Sequence, residues 1–292
     1  LGNKGNPFPV VALCSPELKK AQMDALYGSR LPNLTLVTPT IKEAGYFGTP
    51  NQMILRALEY CEEFHPGRAM LWAEADTVPM RATWVDEIMA EYAKCGRPFM
   101  GDINRVVVPH LTGNAVYHPN WRNLAPSLAK LGSEACAWDA LCAHEIVPRA
   151  HISKTIQQIW RPSLPITEAW AAKNIHPETA LFHQCKDGSL IDLLCKQYGL
   201  RLIPPLSALC ASSYETDRSK LGQHTGPRAE IYNPSVRVRF PVSKPVEQPK
   251  IAQHVSKLKT EILIVTHAKD VKFLRFCLLG IKQNASGFSG VT

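Results

Sequence analysis

Residues 50–76 decide the fold, and their sequence is PNQMILRALEYCEEFHPGRAMLWAEAD. The part from Pro50 to Phe64 predicts a helix, because its apolar residues recur at spacings that place them on one face. These residues are Met53, Ile54, Ala57, Leu58 and Cys61. Gly67 follows the helix, and Ala69–Ala73 is a short apolar run that predicts a buried strand. A helix that leads directly into a buried strand is typical of an α/β protein.

The residues before this unit predict the same alternation. Phe8–Cys14 is a short apolar run that predicts a strand, and Leu34–Val37 predicts a second strand. Between them, Pro16–Tyr27 predicts a helix with Ser15 as its N-cap and Gly28 after its end. This β-α-β-α-β order predicts an α/β fold with a mostly parallel, Rossmann-like sheet and helices on both faces.

The elements predicted after Asp76 follow one another less regularly. The predicted helices are Thr83–Cys95, Glu134–Ile146 and Ser189–Tyr198, and the predicted strands are Phe99–Ile103, Ala115–Tyr117 and Leu200–Ile203. We therefore expect one α/β domain over residues 1–211.

The composition changes over residues 212–259, which we interpret as a Pro-rich, basic connector. Its prolines, at 227, 234, 241, 245 and 249, interrupt any long element. Glu261–Thr266 then predicts a strand, and Asp270–Gln283 predicts an amphipathic helix. Residues 260–292 accordingly predict the start of a second, incomplete α/β domain.

The composition fits a protein with a packed core, since 45% of the 292 residues are hydrophobic and 20% are charged. This excludes a wholly disordered chain, a coiled coil and a collagen. No run approaches the roughly 18–20 apolar residues that span a bilayer, and no leader segment is visible. The nine cysteines form no C-x-x-C pair, which argues against a zinc ribbon and favours buried thiols in a reducing cytoplasm.

The net charge of +8 fits a polyanionic partner such as nucleic acid or a phosphorylated substrate. A basic protein without such a partner is an equally good interpretation of the charge alone.

Two carboxylates follow the third predicted strand, at Glu74 and Asp76. Open α/β sheets bind ligands beyond the carboxyl ends of their strands, and paired carboxylates there can hold a hard divalent cation. That cation can in turn bridge a diphosphate and neutralise the charge on a leaving group. The alternative is a surface turn with two solvated acids.

A second polar segment follows the apolar residues 180–182 and includes His183 and Lys186. A neutral imidazole at His183 could complete a metal site, and Lys186 could contact a phosphate. The alternative is that Asp187 or Ser189 caps the following helix while His183 only packs against its neighbours.

Together these segments resemble those of GT-A-type glycosyltransferases, over residues 1 to about 210. In that family an acidic pair after a central strand and a later histidine bind Mn²⁺ or Mg²⁺, and the sugar donor is a nucleotide-sugar such as a UDP-sugar. The resemblance implies that Asp76, Glu74 and His183 are metal ligands. The segment Leu111–Tyr117 is similar to the small-residue stretch that lines the donor-sugar site.

The same resemblance implies roles for several further residues. Contact with the sugar donor is expected from Cys14, Ser15, Glu74, Gly113, Asn114 and Lys186. Asp139 resembles the acid that serves as catalytic base in inverting members. For Asp139 a position on the helix surface is the alternative, and the sequence leaves retention and inversion open.

More narrowly, the segments GNAVYHP at 113–119 and HQCKDGSL at 183–190 resemble phage glycosyltransferases of DNA hypermodification. Residues 262–270 are similar to the start of another glycosyltransferase-like domain in tandem phage proteins. These resemblances imply an acceptor hydroxyl on a 5-hydroxymethylpyrimidine base in double-stranded DNA, and a location in the host cell cytoplasm.

Other classes lack their motifs in this sequence: it has no G-x-G-x-x-G after the first strand, no Walker A loop and no G-x-S-x-G elbow. Two alternatives remain open. One is a glycosyltransferase with a saccharide or protein acceptor. The other is a non-catalytic, basic DNA-binding or assembly protein on a transferase-like scaffold.

Overall fold

The structure is a computed structural model, which describes residues 9–16, 18, 20, 24, 34–41, 48–81, 83–105, 108–131, 136–159, 165–183, 187–198 and 260–266. Several predictions lie outside these residues: most of the helix at 16–27, Lys186, the strand at 200–203, the connector at 212–259 and the helix at 270–283.

The described chain alternates strands and helices. The strands are β1 (Val10–Cys14), β2 (Leu34–Val37), β3 (Ala69–Glu74), β4 (Val78–Pro79), β5 (Phe99–Asn104), β6 (His110–Tyr117), β7 (Ala150–Ile152), β8 (Ile156–Gln158), β9 (Leu181–His183) and β10 (Thr260–Thr266). The α-helices are α1 (Gly48–Phe64), α2 (Trp84–Cys95), α3 (Trp121–Leu124), α4 (Trp138–Leu141), α5 (Ala143–Ile146), α6 (Glu168–Asn174) and α7 (Ser189–Gln197). Two 3₁₀ turns cover Pro126–Lys130 and Val147–Arg149.

The main sheet has seven strands in the order β2-β1-β10-β3-β6-β5-β7, and it is mixed. The pairs from β2 to β3, and the pair β5–β7, are parallel. The pairs β3–β6 and β6–β5 are antiparallel. The α/β class is therefore confirmed, whereas the mostly parallel sheet is not.

The reversal at β6 follows from a short connection. Residues 105–109 join β5 to β6. A parallel crossover needs about a dozen residues or more, so this length permits only antiparallel neighbours. The sequence analysis identified both strands without using the length of the chain between them.

Strand β10 is the third strand of the main sheet. Its residue Ile264 pairs with Ala12 of β1 on one side and with Ala73 of β3 on the other, both in parallel. The sequence analysis assigned this strand to the start of a second α/β unit. Here it belongs to the same compact unit as β1 and β3.

Successive side chains of each strand point to opposite faces of the sheet, so the core lies on both faces. On one face Val10, Ala12, Leu71 and Ala73 join the buried side of α2. On the other face the buried residues of α1 and α3 lie against the strands. The residues of this second face include Val11, Leu13, Met70, Trp72, Phe99, Tyr117 and Trp121. The expected helices on both faces are therefore present.

The helix predicted over 134–146 is interrupted. Its described part forms α4 and α5, and between them the backbone of Cys142 has φ −92° and ψ 3°. The Cys142 amide still bonds to the Trp138 carbonyl, which closes α4 at this point. Apolar periodicity continues across the break, so the sequence pattern did not reveal it.

A second, three-stranded sheet has the order β4-β9-β8. Val78 of β4 pairs antiparallel with Phe182 of β9, and Gln158 of β8 pairs in parallel with His183. The helices α6 and α7 belong to a separate compact unit, in which the Ile166 amide donates to Ser189 Oγ at 2.7 Å. Among the described residues, no helix has the length and apolarity to cross a membrane.

Candidate metal centre

Three side chains converge where β3 ends. Glu74 is the last residue of β3, Asp76 lies in the following turn, and His183 is the last residue of β9. Nε2 of His183 is 2.9 Å from Oδ1 of Asp76 and 2.9 Å from Oε2 of Glu74. One ligand atom from each of the three residues lies within 4.8 Å of the other two.

The second sheet explains how residues so distant in sequence meet. The Thr77 amide donates to the Glu74 carbonyl at 3.1 Å, which closes a turn directly after the acidic pair. The chain then enters β4, which pairs with β9. Because this pairing starts one residue after Thr77, it brings the end of β9 beside the acidic turn.

Two of the three side chains are buried and the third is partly exposed. Asp76 and His183 are 5% and 2% exposed, whereas the Glu74 side chain is 38% exposed. Burial alone would lower the pKa of His183, but the charges of Asp76 and Glu74, together with their hydrogen bonds, raise it to about 10. The site therefore strongly favours a positive charge between its two carboxylates.

The ligand set fits a divalent cation such as Mn²⁺ or Mg²⁺. A ring N–H carries one hydrogen, yet two carboxylate oxygens lie at equal distance from the same His183 nitrogen. Carboxylate oxygens and an imidazole nitrogen are common ligands of divalent cations, and the three side chains could together hold one. The partial exposure of Glu74 leaves an open side for a ligand of the cation.

Asn114 holds the acidic turn from the neighbouring strand. Its Oδ1 accepts hydrogen bonds from the Glu74 amide at 2.8 Å and from Thr77 Oγ1 at 2.7 Å. Asn114 is fully buried, and its Nδ2 has no hydrogen-bond partner among the described residues. The structure thus places this predicted donor-contact residue beside the acidic turn, where its side-chain oxygen binds the backbone of β3.

Gly113 lies on β6 opposite the end of β3. The antiparallel register pairs Trp72 with Ala115, and the next pairs along the two strands bring Gly113 beside Glu74. The predicted residues Gly113, Asn114, Glu74, Asp76 and His183 therefore form one group.

Asp139 lies close to this group, in the first turn of α4. The start of α4 is fixed by Asn51, whose Oδ1 accepts from the Trp138 amide at 2.7 Å. Burial raises the pKa of Asp139; a nearby charge on His110 lowers it, and the charge of Glu74 raises it further. Asp139 is therefore near enough to Glu74 for their charges to interact.

Cys14 and Ser15 lie at the same edge of the sheet as Glu74, with β10 between them. The register pairs Cys14 with Thr266 and Val265 with Glu74. Cys14 is fully buried in the core, and burial raises the pKa of its thiol to about 11. Ser15 is also buried, at 3% exposed.

Two residues at the site were not selected from the sequence. Thr77 directly follows Asp76, and its position after the acidic pair was the available signal. His110 stands at the beginning of β6, with Nε2 3.6 Å from Oδ2 of Asp139. No spacing within the sequence links His110 to Asp139, because their contact depends on how α4 packs on β6.

Comparison with protein-family models, with curated proteins and with solved structures finds no match to the chain.

Proposed function

We propose that the chain is a metal-dependent glycosyltransferase that moves a sugar from a nucleotide-sugar to an acceptor hydroxyl. The observation that carries this proposal is the convergence of Glu74, Asp76 and His183 where β3 ends. A metal site at the carboxyl ends of parallel strands suits a diphosphate ligand. The motifs that resemble those of GT-A-type enzymes include all three of these residues.

The arrangement of the sheet supports a GT-A-like fold as part of this proposal. The parallel strands β1 and β3 end at the edge that carries the cluster, and helices cover both faces of the sheet. The strand next to β3 runs antiparallel and contributes Gly113 and Asn114 to the same place. The end of β3 thus collects the expected metal ligands, with His183 contributed by β9 of the second sheet, and two of the expected donor-contact residues.

In the proposed reaction Asp76, Glu74 and His183 hold the cation, and Asn114 keeps the acidic turn in place. When bound, the cation supplies positive charge that stabilises the leaving diphosphate. Asp139 accepts the proton of the acceptor hydroxyl if the reaction inverts the configuration of the sugar. Its side chain is 21% exposed, so an acceptor can approach its carboxylate.

We further propose a 5-hydroxymethylpyrimidine base in double-stranded DNA as the acceptor. The narrower resemblance of residues 113–119 and 183–190 favours this acceptor, and the net charge of +8 agrees with it. Binding to duplex DNA should weaken steeply as salt is raised. Absence of such binding, with donor turnover intact, would favour a saccharide or protein acceptor.

The Asp76→Asn variant tests the proposal. It keeps the shape of the side chain but removes a charged ligand, so we expect at least about a hundredfold loss of metal-dependent donor turnover. Glu63→Gln is the matched control, because Glu63 is an exposed acid on α1. Equal turnover in the two variants would contradict the proposal. A wild-type chain that binds DNA but no nucleotide-metal complex would favour the non-catalytic alternative.

A further inference from the structure

His110 and Asp139 face each other beside the candidate metal centre. His110 begins β6, and Asp139 lies in the first turn of α4. Nε2 of His110 is 3.6 Å from Oδ2 of Asp139, and the two side chains are 17% and 21% exposed. Three residues after His110, the same strand places Gly113 against Glu74. Asp139 also lies near enough to Glu74 for their charges to interact, so the pair is beside the candidate metal ligands and separate from them.

The ring of His110 is oriented by a backbone carbonyl. Nδ1 lies 2.6 Å from the oxygen of Val108. A carbonyl oxygen only accepts hydrogen bonds, so Nδ1 carries a hydrogen. Nε2 then points toward Oδ2 of Asp139 at 3.6 Å. The bond at Nδ1 thus fixes the ring with Nε2 toward the carboxylate of Asp139.

One oxygen of the Asp139 carboxylate accepts a backbone hydrogen bond, and the other oxygen faces His110. Oδ1 accepts a hydrogen bond from the Ala140 amide at 2.8 Å. The distance of 3.6 Å between Oδ2 and the His110 ring exceeds hydrogen-bond length. The His110 ring therefore attracts Oδ2 electrostatically, and the lone pairs of Oδ2 can still accept a hydrogen bond from a hydroxyl group.

We propose that His110 is a positioning residue whose ring orients Oδ2 of Asp139 by electrostatic attraction for the acceptor hydroxyl. This inference rests on the proposed glycosyl transfer. As the acceptor O–H bond breaks, its proton passes to Oδ2 of Asp139. The electron pair of the acceptor oxygen forms the bond to the anomeric carbon. The bond from that carbon to the diphosphate breaks, and its electron pair leaves on the diphosphate.

The groups around Asp139 act on its carboxyl in opposite directions. Burial and the charge of Glu74 both favour a protonated carboxyl, whereas a positive charge on His110 and the Ala140 amide favour the carboxylate. Cys136 and Tyr117 also lie near, since the charge of Asp139 raises the pKa of each. Among these neighbours His110 supplies the favourable charge, and removing it should leave Asp139 more often protonated.

The test compares His110→Gln with His144→Gln, an exposed histidine on α5 that serves as control. For His110→Gln we expect about a tenfold lower kcat with an unchanged KM for the sugar donor, since a positioned base contributes about 10²–10⁴-fold in all. The acidic limb of the pH–rate profile should move to higher pH. Kinetics that match those of His144→Gln would overturn the inference.

A measurement without turnover separates failure of this inference from failure of the proposed function. The ring ¹⁵N signals of His110, assigned by their loss in His110→Gln, should show a change at Nε2 in Asp139→Asn while Nδ1 stays protonated. Signals that do not respond to Asp139→Asn would overturn the inference even if transfer occurs. A response without any transfer by the wild type would overturn the proposed function, and the role of Asp139 with it.

Discussion

The carboxylate of Glu74 occupies the space that a side chain at position 113 would need. A Cβ placed on Gly113 would overlap Oε1 of Glu74 and come 3.0 Å from its Cδ. The two residues face each other across the antiparallel pair of β3 and β6. The absence of a side chain at Gly113 therefore leaves the space that the Glu74 carboxylate occupies.

We expect Gly113→Ala to displace Glu74 and to weaken Mn²⁺ affinity by about tenfold or more, the effect of disturbing an oriented ligand. Calorimetric titration with Mn²⁺ measures this loss. Gly67→Ala is the control, because Gly67 has φ +75° and no atom lies within 4 Å of its added Cβ. This variant should lose about 1–2 kcal/mol of stability from its backbone conformation and keep its Mn²⁺ affinity. Unchanged Mn²⁺ affinity in Gly113→Ala would contradict the steric argument.

Asn114→Ala should destabilise the fold and the site together. It removes the acceptor of a partly buried hydrogen bond from the Glu74 amide and of a buried one from Thr77 Oγ1. A buried donor left without a partner costs about 1–3 kcal/mol. Urea unfolding measures the total loss in the free energy of unfolding. Thr77→Val removes one of the two bonds and should cost about half as much. Equal stability of Asn114→Ala and wild type would show that Asn114 does not hold the turn.

The carboxylate of Glu91 accepts several hydrogen bonds from the loop between β7 and β8. Its carboxylate accepts from Ser153 Oγ at 2.7 Å, from the Lys154 amide at 2.8 Å, and from the amide and hydroxyl of Thr155. The Thr155 carbonyl in turn accepts from the amide of Leu181 at 2.9 Å, where β9 begins. Burial would raise the pKa of Glu91, but these hydrogen bonds together lower it below its ordinary value of 4.5.

This lowered pKa predicts a specific dependence of stability on pH. Because Glu91 binds its proton less readily in the folded state, its contribution is present above pH 4.5 and is lost as pH falls through the folded-state pKa. Glu91→Gln should therefore lower the free energy of unfolding at pH 7 by about 1–3 kcal/mol. The difference from wild type should shrink below about pH 4. A difference that is independent of pH would contradict the assignment.

Mn²⁺ should raise the melting temperature of the wild-type protein. A ligand of the folded state at 100 times its Kd adds about 2.7 kcal/mol of stability, which corresponds to several degrees. Asp76→Asn should abolish this increase, and Glu63→Gln should retain it. An equal increase in all three proteins would place the bound Mn²⁺ away from Asp76.

The sequence predicted the parts of the site that follow directly from strand ends. Glu74 and Asp76 follow an apolar run and His183 ends another, so local sequence could select them as candidates, but their convergence depends on the pairing of β4 with β9. His110 was not predicted, because its contact with Asp139 is created by packing between two elements. Local patterns describe an element but do not identify its neighbours in space.

The same limit applies to the sheet. Apolar runs predicted β3, β5 and β6, but their mixed directions depend on pairing between strands. The position of β10 between β1 and β3 is the clearest case, since the runs at 10–14 and 260–266 are both apolar and either could begin a unit. Strand order is non-local, and periodicity in sequence carries no information about it.

The most direct test of metal-dependent glycosyl transfer is release of nucleoside diphosphate from a panel of nucleotide-sugars. The assay is run with and without Mn²⁺, and with hydroxymethylated DNA, unmodified DNA or no acceptor. We predict release that requires both Mn²⁺ and hydroxymethylated DNA, and that Asp76→Asn abolishes. Release that persists after removal of the metal, or that is equal in Asp76→Asn and wild type, would contradict catalysis at Glu74, Asp76 and His183.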